Sequence, residues 1–261
     1  MGYSRDFYLD QMIESEASAR VIAPMALRLV AARSVVDVGC GVGTWLAAFR
    51  EAGVAAIEGI DGAHVPRELL RIPVEAFTAA DLERPLPPGP RADLALCLEV
   101  AEHLAPERAE GLVNDLVNRA DAVLFSAALP FQGGEGHVNE NWLEYWAILF
   151  RRYGFSAADV IRPTLWNDLR VCWWYRQNIV LFARNAALGQ TPFTDRMPKA
   201  PSEPRPLSQI HPAQVLTRLA QPRDPLGDDD RKAGLRYYTA VLDAYLAGGI
   251  ALPEPTLCYT S

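Results

Sequence analysis

"VVDVGCGVGTWL", residues 35–46, sets three glycines into five positions between two apolar runs. Glycine costs backbone entropy and gives up packing surface, so a cluster of it marks a left-handed turn or a close backbone approach. The run before it reads as a buried strand, and "TWLAAFREAG" after it as a helix stopped at Gly53. The glycines therefore sit at a strand-to-helix junction, and the same hand-over recurs along the chain. "AAIEGID" (55–61), "VEAFTAADL" (74–82), "ADLALCLEV" (92–100) and "DAVLFSAAL" (121–129) read as strands. Helical patterns occupy 7–33, with a bend expected at Pro24, and also 107–120 and 139–154. Two further strand-like runs lie near 157–162 and at 178–183. This alternation predicts an α/β fold, a mostly parallel sheet with helices on both faces. Ligands of such sheets bind outside the carboxyl ends of the strands, where the glycine turn lies.

The chain has 261 residues, 50% hydrophobic and 22% charged, enough for one elaborated domain. Its net charge is −7 and it holds no basic block, which argues against a nucleic-acid backbone or an anionic membrane as partner. The N-terminus is polar and mixed in charge, unlike a signal peptide, and Asp6 stands where myristoylation wants Ser or Thr. No apolar run approaches the ~18 residues of a membrane span. Cys40, Cys97, Cys172 and Cys258 form no CxxC pair, so a reduced, cytoplasmic protein without structural zinc is expected. From residue 189 the character changes. Six prolines fall within 190–212, and one amphipathic helix follows at 231–249. The expected division is an α/β domain with an N-terminal helical lid over 1–188, then a Pro-rich extension and C-terminal helix over 189–261. The sequence leaves the oligomeric state open, a homodimer included.

The turn is Asp37-x-Gly39-x-Gly41-x-Gly43, whose third glycine comes one residue too early for a dinucleotide fingerprint. A carboxylate two residues ahead of the first glycine would repel a pyrophosphate but suits a cationic ligand. An NAD-linked enzyme is further disfavoured because no Tyr-x-x-x-Lys pair exists, Lys occurring only at 199 and 232. Asp61 ends the second strand, where a carboxylate can accept ribose hydroxyls. The string closely resembles motif I of class I S-adenosylmethionine-dependent methyltransferases. Across residues 15–184, "LCLEVAEHL", "GHVNE" and "WWYRQN" resemble blocks of one bacterial small-molecule methyltransferase family. The resemblance implies a seven-stranded Rossmann-like sheet, mostly parallel with an antiparallel last strand. It also implies S-adenosylmethionine as cofactor. Asp37, Gly39, Cys40, Gly41 and Gly43 would meet its amino-acid tail, Asp61 and Gly62 its ribose, and Asp81 and Leu82 its adenine. Leu98 and Glu99 of motif IV would flank the adenosyl and methionine parts.

Methyl transfer from a sulfonium needs alignment, and a base only where the acceptor carries a proton. His137, in the glycine-rich loop after the fifth strand, is the expected base, with Glu140 orienting its ring or binding substrate. Its plain alternative has Asn139 or Asn141 capping the next helix and Glu140 in the first turn. His103, beside motif IV, is the rival base, whereas His64 and His211 have no supporting context. Trp142, Trp173, Trp174, Tyr175 and Arg176 are expected to wall the acceptor pocket. The aromatics of 173–175 would lie on an extended connection, so that about half point inward. Tyr3, Phe7 and Tyr8 are available to a lid. No His, Cys or carboxylate cluster has ligand spacing, so no metal is expected and EDTA should leave activity intact. The expected reaction is O-methylation of a small molecule: a sugar, glycoside or specialised metabolite. N-methylation, an already anionic oxygen, or a silent cofactor-binding subunit are the alternatives. The scarcity of Lys beside Arg fits a GC-rich bacterial genome and, with it, natural-product chemistry.

Overall fold

The computed structural model describes residues 5–188, 206–220 and 228–253. Seven strands form one sheet: β1 (Ser34–Val38), β2 (Ala56–Asp61), β3 (Phe77–Ala79), β4 (Leu94–Leu98), β5 (Ala122–Ser126), β6 (Phe155–Ala158) and β7 (Val180–Arg184). Their order is β3-β2-β1-β4-β5-β7-β6. The first five pair in parallel, while β7 runs antiparallel to both β5 and β6. This is the mostly parallel sheet with an antiparallel last strand that the resemblance implies.

Burial explains the strand sequences. β4 and β5 are buried at every residue, which is why they read as unbroken apolar runs. Successive side chains serve opposite faces. Val35, Leu94 and Leu96 pack with α1 (Arg5–Val30) and α2 (Thr44–Glu51). Val36, Ala95 and Cys97 pack with α3 (Ala109–Arg119) and α4 (Leu143–Arg152). Pro24 stands inside α1 without ending it, and Ala19, Ile22, Ala23 and Ala26 of that helix are fully buried.

The edge of the sheet departs from expectation. The strand sought at 157–162 is β6, ending at Ala158, because Arg162 begins α5 (Arg162–Leu165). The Arg162 guanidinium is buried, pairs with Asp159, and donates to the carbonyls of Gln177 and Leu207. "WWYRQN" is not an extended connection but a helix, α6 (Trp173–Asn178). It is followed by α7 (Asn185–Leu188) after β7, then α8 (Pro212–Ala220) and α9 (Asp228–Leu246). Residues 206–214 lie against the α/β core. Glu144 accepts bonds from the backbone of Leu207 and Ser208 and from the Ser208 hydroxyl. Arg151 holds the end of α9 through the carbonyls of Tyr245 and Gly249. Tyr3, the side chains of Phe7 and Tyr8, most of the Pro-rich segment and Cys258 lie outside the described residues. No helix among the described residues is long and apolar enough to cross a membrane.

Candidate active site

A cavity of about 970 Å³ opens over the carboxyl ends of β1 to β4. The strand order reverses between β1 and β4, which is where α/β sheets bind ligands. The glycine turn forms its floor. Gly39, Gly41 and Gly43 have φ of 82°, 52° and 82°, conformations that side chains rarely adopt. At Gly39 space adds to conformation, since a Cβ there would stand 2.2 Å from Val100 Cγ2. That close approach seats the loop after β1 against the loop after β4.

Asp61 locks the turn to β2. Its Oδ2 accepts the Gly41 N–H at 2.7 Å and its Oδ1 the Gly62 N–H at 2.6 Å. Burial raises its pKa, and these two N–H donors work against that shift. Each oxygen keeps a further lone pair for a ligand hydroxyl. Gly39, Cys40, Gly41, Asp61, Gly62, Asp81, Leu82, Leu98 and Glu99 all line the cavity. Asp81 is exposed at the rim, where it accepts the Glu83 N–H and pairs with Arg84. The loop beyond it is fixed by buried Arg108, which donates to the carbonyls of Leu82 and Arg84 and pairs with Asp115.

Asp37 and Gly43 lie behind the wall rather than on it. Asp37 is 2% exposed, and its Oδ2 has no partner. Burial, with the charge of Asp61, pushes its pKa up to about 7. The sequence reading missed Ser15, Trp45 and His64 as lining residues. Ser15 Oγ lies 3.3 Å from the Tyr175 hydroxyl, and Trp45 Nε1 donates to the same oxygen at 3.4 Å. Helix α1 thus reaches the cavity through Ser15.

The other end of the cavity is built by the loops after β4 and β5. Glu99 takes a φ of 55°, a strained value for a non-glycine at a site edge. Its N–H donates to Ser126, and its carboxylate accepts from Gln132 and Asn178. His103 lines the cavity, and His137 stands behind it with ring centroids 4.8 Å apart, edge to face. Burial, then His137, pushes the His103 pKa down to about 4. His137 Nδ1 lies 2.8 Å from Glu140 Oε1, and Glu140 also accepts the N–H groups of Phe131 and Gly133. Glu140 therefore orients His137 rather than serving the first turn of α4. Neither asparagine caps that helix: Trp142 stands at its N-cap with no side-chain cap bond. Asn139 instead donates to the Ala101 carbonyl, and the N–H groups of Val138 and Asn139 donate to the Glu102 carbonyl.

Of the aromatic wall, Tyr175 alone lines the cavity; Trp142, Trp173, Trp174 and Arg176 do not. Trp174 packs on the core, and Arg176 donates to the Trp166 carbonyl. His211, without context in the sequence, is buried against Trp166, and its backbone N–H donates to Gln177 Oε1.

The lining carries four carboxylates (Asp61, Asp81, Glu83 and Glu99) and no Lys or Arg. A pyrophosphate would find only repulsion here. A nucleoside with ammonium and sulfonium charges finds acceptors, a glycine floor and apolar Leu82 and Leu98, so the residues present fit S-adenosylmethionine. The family described as "Methyltransferase domain" matches residues 10–156. No curated protein matches the chain in sequence. Among solved structures, the sugar N-methyltransferase of a Streptoalloteichus species is 14% identical, with a TM-score of 0.55 over 70% of this chain and 94% of its own. An O-methyltransferase family protein from Burkholderia thailandensis is also 14% identical, with a TM-score of 0.51 over 69% of this chain. This chain spans 59% of the length of that second protein. The chain belongs to the family described as a methyltransferase domain, built on a seven-stranded sheet.

Proposed function

We propose that this methyltransferase methylates an oxygen of a small molecule, such as a sugar, glycoside or specialised metabolite. In this reading His103, His137 and Glu140 form the acceptor end of its cavity. One observation carries the reading: the cavity runs from the ribose-type carboxylate Asp61 to His103, with the Glu140-held ring of His137 directly behind. The donor, when bound, supplies an electrophilic methyl group whose departure needs no acid. What remains for the protein is alignment and the acceptor's proton. Glu140 fixes the His137 ring through Nδ1, which suits a base; His103 stands between it and the cavity. Tyr175, braced by Ser15 and Trp45, gives the acceptor a rigid wall. The segments that bear His137, Glu140 and Tyr175, "GHVNE" and "WWYRQN", are among those the small-molecule family resemblance rests on. Buried free cysteines at 40 and 97 suit a reducing cytoplasm.

An amine is the second reading, favoured by the surplus of carboxylates around the cavity. A panel of hydroxyl and amine acceptors, scored by S-adenosylhomocysteine release, separates the two. His137→Ala is expected to slow a single turnover by ~10²–10⁴ and to leave S-adenosylhomocysteine affinity unchanged. Lost affinity with unaltered chemistry would move His137 to the cofactor side, and binding without any turnover would make the chain a silent subunit.

A further inference from the structure

We propose that Glu102, His103 and His137 bind one divalent transition-metal ion, and that its open positions take the acceptor's oxygen. The second half rests on the methyl-transfer reading above; the first does not. One ligand atom from each of the three residues lies within 4.8 Å of the others. Two segments distant in sequence bring them together. Glu102 and His103 sit in the 3-10 turn after β4, and His137 comes from the loop after β5. The two loops are sewn at this point, with Val138 and Asn139 both donating to the Glu102 carbonyl at 2.8 and 3.0 Å.

Glu102 supplies an independent sign. It is fully buried, and neither carboxyl oxygen has a hydrogen-bond partner. The N–H groups of Glu102 itself and of Ala128 act on it without completing a hydrogen bond of normal geometry. A buried carboxyl left unsatisfied in a native fold calls for an ion or water to complete it. Its surroundings are acidic as well: Glu99 and Glu140 both act on it, and no Lys or Arg pairs with any of the three carboxylates among the described residues. A cation at this point would satisfy Glu102 and relieve the mutual repulsion.

His137 is also prepared for ligation. Metal-bound histidine usually gives its other ring nitrogen to a carboxylate that fixes tautomer and orientation. His137 does so, with Nδ1 on Glu140 and Glu140 held by two backbone N–H groups. Two imidazoles and one carboxylate suit Zn²⁺, Mn²⁺ or Fe²⁺ better than Ca²⁺, and three protein ligands leave positions open. Ligands at about 2.0–2.2 Å from one ion stand roughly 3–3.5 Å from each other, so the widest pair closes by up to about 1–2 Å on binding.

An acceptor hydroxyl on such an ion becomes acidic. Its proton leaves to solvent, and the oxygen forms the new bond to the methyl carbon. The electron pair of the broken C–S bond stays on sulfur, giving a methyl ether and S-adenosylhomocysteine. His137 then works as a ligand and not as a base.

The test uses the full chain stripped with EDTA and dialysed. Mn²⁺ followed by electron paramagnetic resonance, and Zn²⁺ by calorimetry, should each give one ion per chain. Glu102→Gln, which keeps the shape of the side chain, should weaken both at least tenfold. Glu140→Gln should weaken them by about 10–100-fold through the His137 ring. Thermal melting and S-adenosylhomocysteine affinity should stay as in the parent, which excludes simple misfolding. Absence of stoichiometric binding, or undiminished binding in Glu102→Gln, overturns the site. If the ion binds but the stripped enzyme turns over at the full rate, coordination of the acceptor is overturned and His137 stands as the base. If the ion binds while no hydroxyl or amine is methylated, the site stands and the methyl-transfer reading of the acceptor end fails.

Discussion

Asp37 carries a cost that its neighbours define. It ends buried in β1, one oxygen unpartnered, and burial, with the charge of Asp61, lifts its pKa from 3.8 to about 7. Below pH 3.8 the folded and unfolded chains are both protonated there, and the stability tied to this proton is complete. Between the two values the folded chain keeps a proton that the unfolded chain has lost, so stability falls as pH rises and the contribution is gone above about 7. The difference in denaturant-unfolding free energy between the parent and Asp37→Asn should therefore slope downward from pH 4 to 7 and then level off. A flat difference would mean that the carboxyl is solvated or paired in solution. Asp61, by contrast, faces the cavity with spare lone pairs. Asp61→Ala should weaken S-adenosylmethionine and S-adenosylhomocysteine by about 1–3 kcal/mol in calorimetry, because the Gly41 and Gly62 N–H groups and the ligand hydroxyls all lose a partner. Unchanged affinity would remove Asp61 from the ribose site.

Helix α6 and the strap at 206–214 show how elements are tied across the sheet. Gln177 Nε2 bonds Gln132, Asn178 and Gln214, its Oε1 accepts the His211 N–H, and Asn178 passes the network on to Glu99 in the cavity. Glu144 clamps the same strap from α4. Glu144→Ala strands the buried Leu207 N–H and the half-buried N–H and hydroxyl of Ser208. It should cost about 1–3 kcal/mol in chemical denaturation and hasten proteolytic cleavage near residue 207. Equal stability and equal cleavage would show that the strap is held elsewhere. This buried polar net also explains what the sequence concealed. Arg176, Gln177 and Asn178 are buried, so α6 inverts the usual apolar-in, polar-out pattern and looks like a loop. The glycine turn was legible because a positive φ can be written only with a few residue types, and Asp61 because it falls at a strand end. Glu102 was not legible. Three residues after Glu99 it resembles an ordinary acidic pair, and only the loop arriving from β5 gives it neighbours.

At the scale of the whole molecule the decisive quantity is where positive charge is absent. The chain has 25 Lys and Arg against 32 Asp and Glu, and several buried or half-buried arginines are already spent on structure. Arg108 and Arg119 hold carbonyls and the carboxylates of Asp115 and Glu58, Arg162 holds Asp159, and Arg184 holds Asp121. None of them lines the cavity, and of its four carboxylates over the sheet's binding edge only Asp81 is paired with an arginine, Arg84, among the described residues. Two unit charges about 5 Å apart interact by roughly 3 kcal/mol at an effective dielectric constant near 20, enough to change affinity by about two powers of ten. The same nucleoside should therefore be welcomed or refused according to the charge of its tail. S-Adenosylmethionine and S-adenosylhomocysteine should bind in the micromolar range, and NAD and ATP should give no heat in parallel titrations at concentrations a hundredfold higher. Glu99→Gln and Asp81→Asn, which remove charge but keep shape, should narrow that gap from the S-adenosylmethionine side. Micromolar binding of NAD to the parent chain would show that the glycine turn supplies backbone donors strong enough to outweigh the carboxylates, and the electrostatic argument for the donor would fall with it.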